Sequence, residues 1–391
     1  MNILCGILSI IVLLGIAVLI SENRRKIKIR TTATALALQL AFMLFVIKVP
    51  IGRKALSWTA RAVTKVLSFG NEGLKFVFGG LTPNFTFAFS VLALICFTSS
   101  LISVLYYFRV IPVVVKYVGK GIAKVLGTTE VETFCAVGNA FLGATEAPLL
   151  TKPYLSKLTR SELFCVVTGG FASVAASIIG GYVLMGANME YILVAMATVP
   201  FATILISKIV IPETEEKKGE TIGVVTCNSN NFFDAVGAGA VDGMNLALNV
   251  GAVLIGFIGI VALLNYVLGW AGTSLPQIFS YIFTPLAWLF NIPTSEVHTF
   301  ARILGTKVAI NECVAYTELG SVMQTLSIRT QVIMTVILCN FANLSVIGIT
   351  VAGFKSFAPD RAAEVSGFGF KAFLAGLITT LVTGALIGMC F

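Results

Sequence analysis

The chain has 391 residues, of which 57% are hydrophobic and only 12% charged, with a formal net charge of +9. A soluble domain needs roughly a quarter of its residues charged to keep its surface wet, so this composition excludes ordinary globular folds and makes lipid the solvent. The positive charge does not argue for nucleic acid, because basic residues beside apolar spans report membrane orientation and anionic headgroups instead.

In chain order, uncharged runs long enough to cross ~30 Å of hydrocarbon occur at residues 2–21, 87–108, 163–189, 243–270, 330–354 and 372–391, and shorter runs at 31–47 and 191–207 qualify with their flanks. The expected fold is therefore an all-α integral membrane protein with eight transmembrane helices. The first run is read as a retained span rather than a signal peptide, since its basic residues follow it and no small-residue cleavage site is present. Those basic residues (Arg24, Arg25, Lys26, Lys28 and Arg30) place the first connection in the cytoplasm. Alternation then puts Lys116, Lys120 and Lys124, the cluster from Glu213 to Glu220 with Lys217 and Lys218, and Lys355 with Arg361 on the same side, leaving both termini outside. Residues 51–69 set Lys54, Arg61 and Lys65 on one helical face and Leu56, Ala60, Val63 and Leu67 on another, the pattern of an amphipathic helix lying in the interface.

Two stretches fit neither span nor loop. Residues 132–157 hold an apolar run too short to cross, broken by Gly138, Gly143 and Pro148, with Glu146 in its middle; residues 296–320 are similar, with Arg302, Gly305, Lys307 and Glu312. Short interrupted segments at matching places in two halves point to re-entrant hairpins at a transporter's binding site. After each comes a related sequence, Phe171-Ala172-Ser173-Val174 and Phe341-Ala342-Asn343-Leu344, which suggests an inverted repeat. The corresponding division is 1–128 (scaffold, with the interfacial helix), 129–212 (first hairpin and two spans of a transport domain), 213–272 (a scaffold span) and 273–391 (second hairpin and two spans).

Carboxylates at mid-membrane depth are costly and usually functional. Glu146 and Glu312 are read as hydrogen-bond acceptors in a polar cavity; the alternatives are an ion pair with Lys307 or Arg302, or a hairpin cap. Asn343 and Ser173 sit where a span can unwind and free carbonyls for a cation, although interhelical hydrogen bonding is an equal reading. Asn139 lies seven residues before Glu146, so both can aim inward, whereas Asp234 and Asp242 read better as a solvated helix start. Eight cysteines without a CxxC pair and a single histidine, His298, exclude zinc and disulfide frameworks, and no HExxH or GxSxG motif supports an enzyme.

Four segments in order, 138–150 (GNAFLGATEAPLL), 161–182 (SELFCVVTGGFASVAASIIGGY), 305–316 (GTKVAINECVAY) and 339–349 (CNFANLSVIGI), resemble the concentrative nucleoside transporter family, and the similarity runs from the first span to the last. The resemblance implies a homotrimer in the cell membrane, each protomer with a scaffold and a mobile transport domain that imports nucleosides by sodium symport through elevator-type alternating access. By position it implies that Thr145, Glu146, Ile178, Glu312, Phe341 and Asn343 bind the nucleoside. It further implies that Asn139 and Ser173 hold sodium, with the carbonyls of Leu142 and Val174 alongside. No cofactor beyond the coupling ion is implied, and the alternative is a proton-coupled symporter using Glu146 or Glu312. The chain departs from the family pattern at Ala144, usually Gln, at Val346, usually Ser, and at Asn340, usually Gly. A cavity that loses an amide discriminates less sharply among bases, so purine nucleosides are expected to be accepted.

Overall fold

The computed structural model describes residues 2–79, 93–144, 146–215 and 229–391. Thr145, the first residues of the third apolar run, and Lys217, Lys218 and Glu220 lie outside the described residues. Among the described residues there are helices and no strands. In order they are α1 (Asn2–Leu19), α2 (Ile29–Lys48), α3 (Pro50–Phe78), α4 (Ala93–Tyr107), α5 (Val110–Leu126), α6 (Glu130–Gly138), α7 (Glu146–Leu150), α8 (Lys152–Leu155), α9 (Arg160–Ala172), α10 (Ile179–Leu184), α11 (Met189–Val210), α12 (Phe232–Gly269), α13 (Leu275–Leu289), α14 (Val297–Ala309), α15 (Glu312–Val322), α16 (Ile328–Leu338), α17 (Leu344–Phe357) and α18 (Pro359–Gly388).

Three described helices are long and apolar enough to cross a membrane unaided, α2, α11 and α18; α4 and α5 together form a fourth candidate bent by 70°. The other expected spans are represented by shorter apolar helices or are interrupted. The runs at 163–189 and 330–354 break where Ser173 and Asn343 suggested: α9 stops at Ala172 before α10 begins at Ile179, and α16 stops at Leu338 before α17 begins at Leu344. Asn343 caps α17 by accepting the Val346 N–H at 3.2 Å, and Asn311 caps α15 by accepting the Val314 N–H at 3.0 Å. Each carboxamide takes up a donor that a helix start leaves free.

Two elements differ from the sequence reading. The amphipathic helix α3 extends well past residue 69, to Phe78, started by Pro50 in its first turn, and keeps Arg53, Lys54, Arg61 and Lys65 exposed while Gly52, Ala60, Leu67 and Gly70 are buried. Lys116, Lys120 and Lys124, read as a connection, instead ride on α5, whose Ile111, Val115, Gly119 and Ala123 recur every four residues on its buried face. The charged residues conceal this helix in a search for uncharged runs. Arg109, at φ 58°, makes the turn from α4 into α5.

The bundle centre consists of α9, α11, α16 and α18, which are buried nearly throughout. Helices α1 and α2 pack on α11 and α18, whereas α4 runs along α12, a helix of 38 residues. That pairing depends on small residues: a Cβ at Gly239 would sit 2.7 Å from Ser100 Cα, and one at Gly243 would sit 2.7 Å from Cys96 Cα. Such contacts let helices approach closely in lipid, where packing replaces the hydrophobic effect as the adhesive.

One end of the bundle gathers charges from six segments. Arg160 pairs with Glu22 at 3.0 Å and Glu364 at 3.5 Å, Lys371 reaches Glu22 at 2.9 Å, and Arg361 pairs with Glu364 at 2.8 Å. Arg160 holds the Glu22 carboxyl below its ordinary range against the opposing effect of partial burial. Deeper in, Lys208 of α11 meets Glu132 of α6 at 2.5 Å and Glu213 at 3.9 Å, and donates to Ser161 Oγ at 3.0 Å. The first connection, the segment after α11 and the start of α18 therefore share one end, as the charge reading expects of their relative placement. Removing one partner of a buried pair strands the other charge, so Lys208→Ala is expected to cost about 3 kcal/mol. Thermal unfolding in detergent checks this, and a loss below about 1 kcal/mol would show the network to be dispensable.

Candidate functional site

Both helix breaks lie beside a second interruption. After α6 the chain leaves the helix at Asn139 and resumes at Glu146, and this segment hydrogen-bonds to the break after α9: the Val174 N–H donates to the Asn139 carbonyl at 3.3 Å and the Ala176 N–H to the Phe141 carbonyl at 2.9 Å. Two irregular strips thus satisfy part of each other's backbone inside the bundle, as non-helical chain at membrane depth must. Gly170 of α9 permits the approach, since a Cβ there would lie 2.7 Å from the Ala144 carbonyl oxygen.

The strips enclose a candidate cation site. Asn139 and Ser173 are fully buried, and Asn139 Oδ1 has no hydrogen-bond partner among the described residues. Neither the Leu142 nor the Val174 carbonyl accepts a hydrogen bond from a described residue. Ser173 Oγ donates to the Gly170 carbonyl at 2.7 Å, which leaves its lone pairs unused by that bond. Asn139 Oδ1, Ser173 Oγ and the Leu142 and Val174 carbonyls are uncharged oxygens, the donor type that a monovalent hard cation takes. Among the described residues no cluster of His, Cys, Asp or Glu offers a transition-metal site.

Glu146 is solvent-accessible although it lies deep among protein atoms, as a side chain lining a cleft does. Its Oε2 accepts the Gly143 N–H at 3.2 Å. A Cβ built on Gly143 would stand 3.4 Å from Glu146 Oε1 and 3.8 Å from Phe341 Cε2, so the first carboxylate and the half-buried aromatic ring of the second break border the same space. Asp242 of α12 and Tyr106 of α4 lie within electrostatic reach of Glu146.

Glu312 is buried at the first position of α15, and its Oε2 accepts the Asn343 Nδ2 hydrogen at 3.0 Å. The ion-pair alternatives do not form. Arg302 is engaged with Glu318 at 2.9 Å, and Lys307 donates to the Ile337 carbonyl at 2.5 Å and to Asn340 Oδ1. Ile178 is buried at the start of α10, one residue past Ser177, whose carbonyl accepts the Thr98 hydroxyl of α4. Residues 339–343 join the two halves of the site, with Phe341 facing Glu146 and Asn343 holding Glu312. Of the expected substrate residues, Glu146, Phe341, Glu312 and Asn343 come together around these breaks, and Thr145 is outside the described residues.

Sequence reasoning missed two tyrosines. Tyr182 and Tyr316 are fully buried and stack at 4.5 Å with planes 28° apart; Tyr316 donates to the Thr335 carbonyl at 2.6 Å, and Tyr182 is within electrostatic reach of Glu312. Each ends one of the four resembling segments, and that shared boundary was the available signal. Asp234, read as a helix-start residue, accepts the Asn230 N–H at 2.8 Å at the head of α12. Asp242, two turns on, is exposed on the same helix.

Three family models tile the chain: residues 8–81 match "Na+ dependent nucleoside transporter N-terminus", 88–189 match "Nucleoside recognition", and 191–388 match "Na+ dependent nucleoside transporter C-terminus". The chain belongs to the concentrative nucleoside transporter family. Its relatives there are membrane permeases and cotransporters, not enzymes. The transporter is 36% identical to the nucleoside permease NupC of Helicobacter pylori over 99% of its own length and 97% of the relative's. It is 33% identical to sodium/nucleoside cotransporter 1 of Sus scrofa over 95% of its length, which covers 61% of that longer protein. Its structure superposes on that of CNTnw, solved in an inward-facing substrate-bound state, with a TM-score of 0.95 and 38% identity over 100% of this chain and 98% of the other.

The Glu312–Asn343 pair generates a direct expectation for the transporter. Glu312→Gln replaces an acceptor-only carboxylate by an amide and should lower nucleoside uptake by about 100-fold, the size of effect when a site built to pair a polar substrate group loses that pairing. Radiolabelled uptake by cells with matched surface expression checks it, and uptake within about threefold of wild type would remove Glu312 from the site.

Proposed function

We propose that the chain imports nucleosides by sodium symport, binding the nucleoside between Glu146 and Phe341 on one side and Glu312 with Asn343 on the other. What supports this most is Glu312: a buried carboxylate at a helix start, accepting from the Asn343 carboxamide and weakly from the Cys313 thiol and with no ion pair among the described residues, keeps acceptor capacity for the hydroxyls of a sugar. Ile178 supplies an apolar wall for the base, and Thr145 joins Glu146 in reading its edge. The family-model description and the cotransporter relative support sodium as the coupling ion, and the oxygen set of Asn139, Ser173, Leu142 and Val174 fits it.

Coupling follows from shared structure. The strip that would hold the ion, residues 139–144, leads directly into Glu146, and its partner strip leads into Ile178. An ion that orders these strips raises nucleoside affinity, and reciprocity requires the nucleoside to raise ion affinity. An inward-negative potential then contributes ~2.3 kcal/mol per charge per 100 mV. The proposed cycle is an elevator. In it residues 132–157 and 296–320 are two re-entrant hairpins related by an inverted repeat, and they move with the interrupted spans as one body past a scaffold in a homotrimer embedded in the cell membrane. Both termini lie on its outer side. The scaffold comprises residues 1–128 and 213–272, and the transport domain residues 129–212 and 273–391.

Uptake into proteoliposomes separates this reading from a proton-coupled one, for which the unpaired Glu312 is the natural proton carrier. Symport with sodium gives uphill accumulation that collapses without a sodium gradient, while uptake that ignores sodium and follows pH would replace it. Asn139→Ala should raise the sodium concentration for half-maximal uptake about tenfold, through loss of one oxygen ligand to a desolvated ion. Ala144 removes an amide that would read the base, so adenosine and inosine should compete with uridine within about tenfold of one another. Uridine far ahead of both purines would refute the broad-acceptance reading.

A further inference from the structure

An apolar groove of about 350 Å³ runs between α2, α3, α11 and the irregular strip at residues 140–141. Phe42, Leu56, Phe141 and Met196 are typical of its wall. Thr59 carries the one polar side chain on that wall, and its hydroxyl is already donated to the Ala55 carbonyl at 2.9 Å. Such a space offers water too few partners to hold it. Phe45 and Thr59, both on the wall, are exposed, so the groove opens at the outer surface of the bundle, where hydrocarbon is the solvent.

Its place along the bundle suits a chain that descends from a headgroup. The wall uses the last turns of α2 and the first turns of α11. The other end of α11 carries the charged network, where the Glu22 N–H donates to the Val210 carbonyl at 2.9 Å. The groove therefore lies toward the far face, where α3 begins. There Arg53 directly follows the wall residue Gly52, Lys54 directly precedes the wall residue Ala55, and both are exposed. Arg61 and Lys65 continue the basic face, and none of the four has an ion-pair partner among the described residues. The one acid of α3, Glu72, is engaged with Lys75 at 3.4 Å. Lysine and arginine that orient a membrane protein belong to its cytoplasmic loops, so the rule that places the first connection there leaves these four unexplained. An anionic headgroup supplies the missing counter-charge.

We propose that this groove binds one chain of an anionic phospholipid, with the phosphate on Arg53 and Lys54 and the hydrocarbon against Phe141, and that the bound chain braces the strip carrying the cation site. Ala140 and Phe141 line the groove, whereas their neighbours Asn139 and Leu142 supply a side-chain oxygen and a carbonyl to that site. The Phe141 carbonyl accepts the Ala176 N–H at 2.9 Å, so a residue that walls the groove also ties the two strips together. Ordering the strip raises cation affinity, and by reciprocity the cation favours the lipid-bound form. The brace rests on the reading of residues 139–144 as the sodium strip; the lipid site itself does not.

The test titrates the purified full-length transporter with phosphatidylglycerol or with phosphatidylcholine of the same chains, and native mass spectrometry counts the bound lipid. Phosphatidylglycerol should bind about fivefold more tightly, and Arg53→Gln should lower its affinity about fivefold, the effect of one basic residue at a charged headgroup. Thr59→Phe, which fills the groove and leaves the basic face intact, should lower the affinity for both lipids about tenfold. Should that variant fail to fold, Ala197→Phe fills the groove from the α11 wall. In proteoliposomes, adding phosphatidylglycerol to phosphatidylcholine should lower the sodium concentration for half-maximal nucleoside uptake about threefold in wild type and leave Thr59→Phe unmoved. Sodium merely concentrated by a charged surface would act on both proteins alike. Equal affinity for the two lipids, or binding that survives the filled groove, overturns the site. A sodium requirement that falls equally in wild type and Thr59→Phe, or in neither, overturns the brace. Lipid binding is counted without sodium or nucleoside, so it stands apart from sodium-driven uptake, whose absence would fault the transport reading instead.

Discussion

Two helices stop inside the bundle, and the architecture of the site follows from where their freed backbone groups go. Hydrocarbon offers no water to an unpaired N–H or carbonyl, so each break needs a partner at the same depth. For residues 173–178 the partner is residues 139–144, joined through the Val174 and Ala176 N–H groups. For residues 339–343 the partners are mostly side chains, with Asn340 and Asn343 turned back on their own strip and outward to α14, α15 and α18. The carbonyls left over are not defects. A carbonyl without a protein donor keeps its lone pairs for a desolvated group.

The buried charges obey the same economy of partners. Lys208 is met by two carboxylates and a hydroxyl, a network that locks helices together near one end. Lys307 and Glu312 are treated differently: each is assigned to a helix end of favourable polarity and to one carboxamide, and neither neutralises the other. A structural pair consumes its lone pairs, whereas a charge satisfied only in part retains chemistry. The contrast between Lys208 and Lys307 separates a fully paired buried charge from one held by neutral acceptors alone.

Much of this was legible from sequence, for reasons that differ by element. The breaks after Ala172 and Leu338 were visible because small and polar residues interrupt otherwise apolar runs, and Glu146 and Glu312 were visible because acids are rare there. The lysine-bearing helix α5 was not, because a search for uncharged runs discards a helix whose exposed face carries a lysine every fourth residue. The pairing of Arg302 with Glu318 rather than Glu312 was likewise out of reach, because only the turn between α14 and α15 decides which acid the arginine meets. Asn340 stood out solely as a departure from a family pattern, and its bond to Lys307 needed the position of a lysine 33 residues earlier. Tyr182 and Tyr316 were overlooked because an aromatic in an apolar run reads as packing until its ring is seen against a carboxylate.

The length of α12 has a consequence of its own. At ~1.5 Å per residue its 38 residues reach about 57 Å, nearly twice the ~30 Å thickness of a hydrocarbon layer. Its first half carries Asp234, Asp242, Asn245 and Asn249, and its small residues grip α4; its second half turns Ile255, Ile258, Leu263 and Leu264 outward. An upright rod of that size must overhang the bilayer, and one lying wholly within it would have to lean steeply. Either way its apolar half is matched to oil, while its acidic residues are confined to the half whose glycines pack on α4.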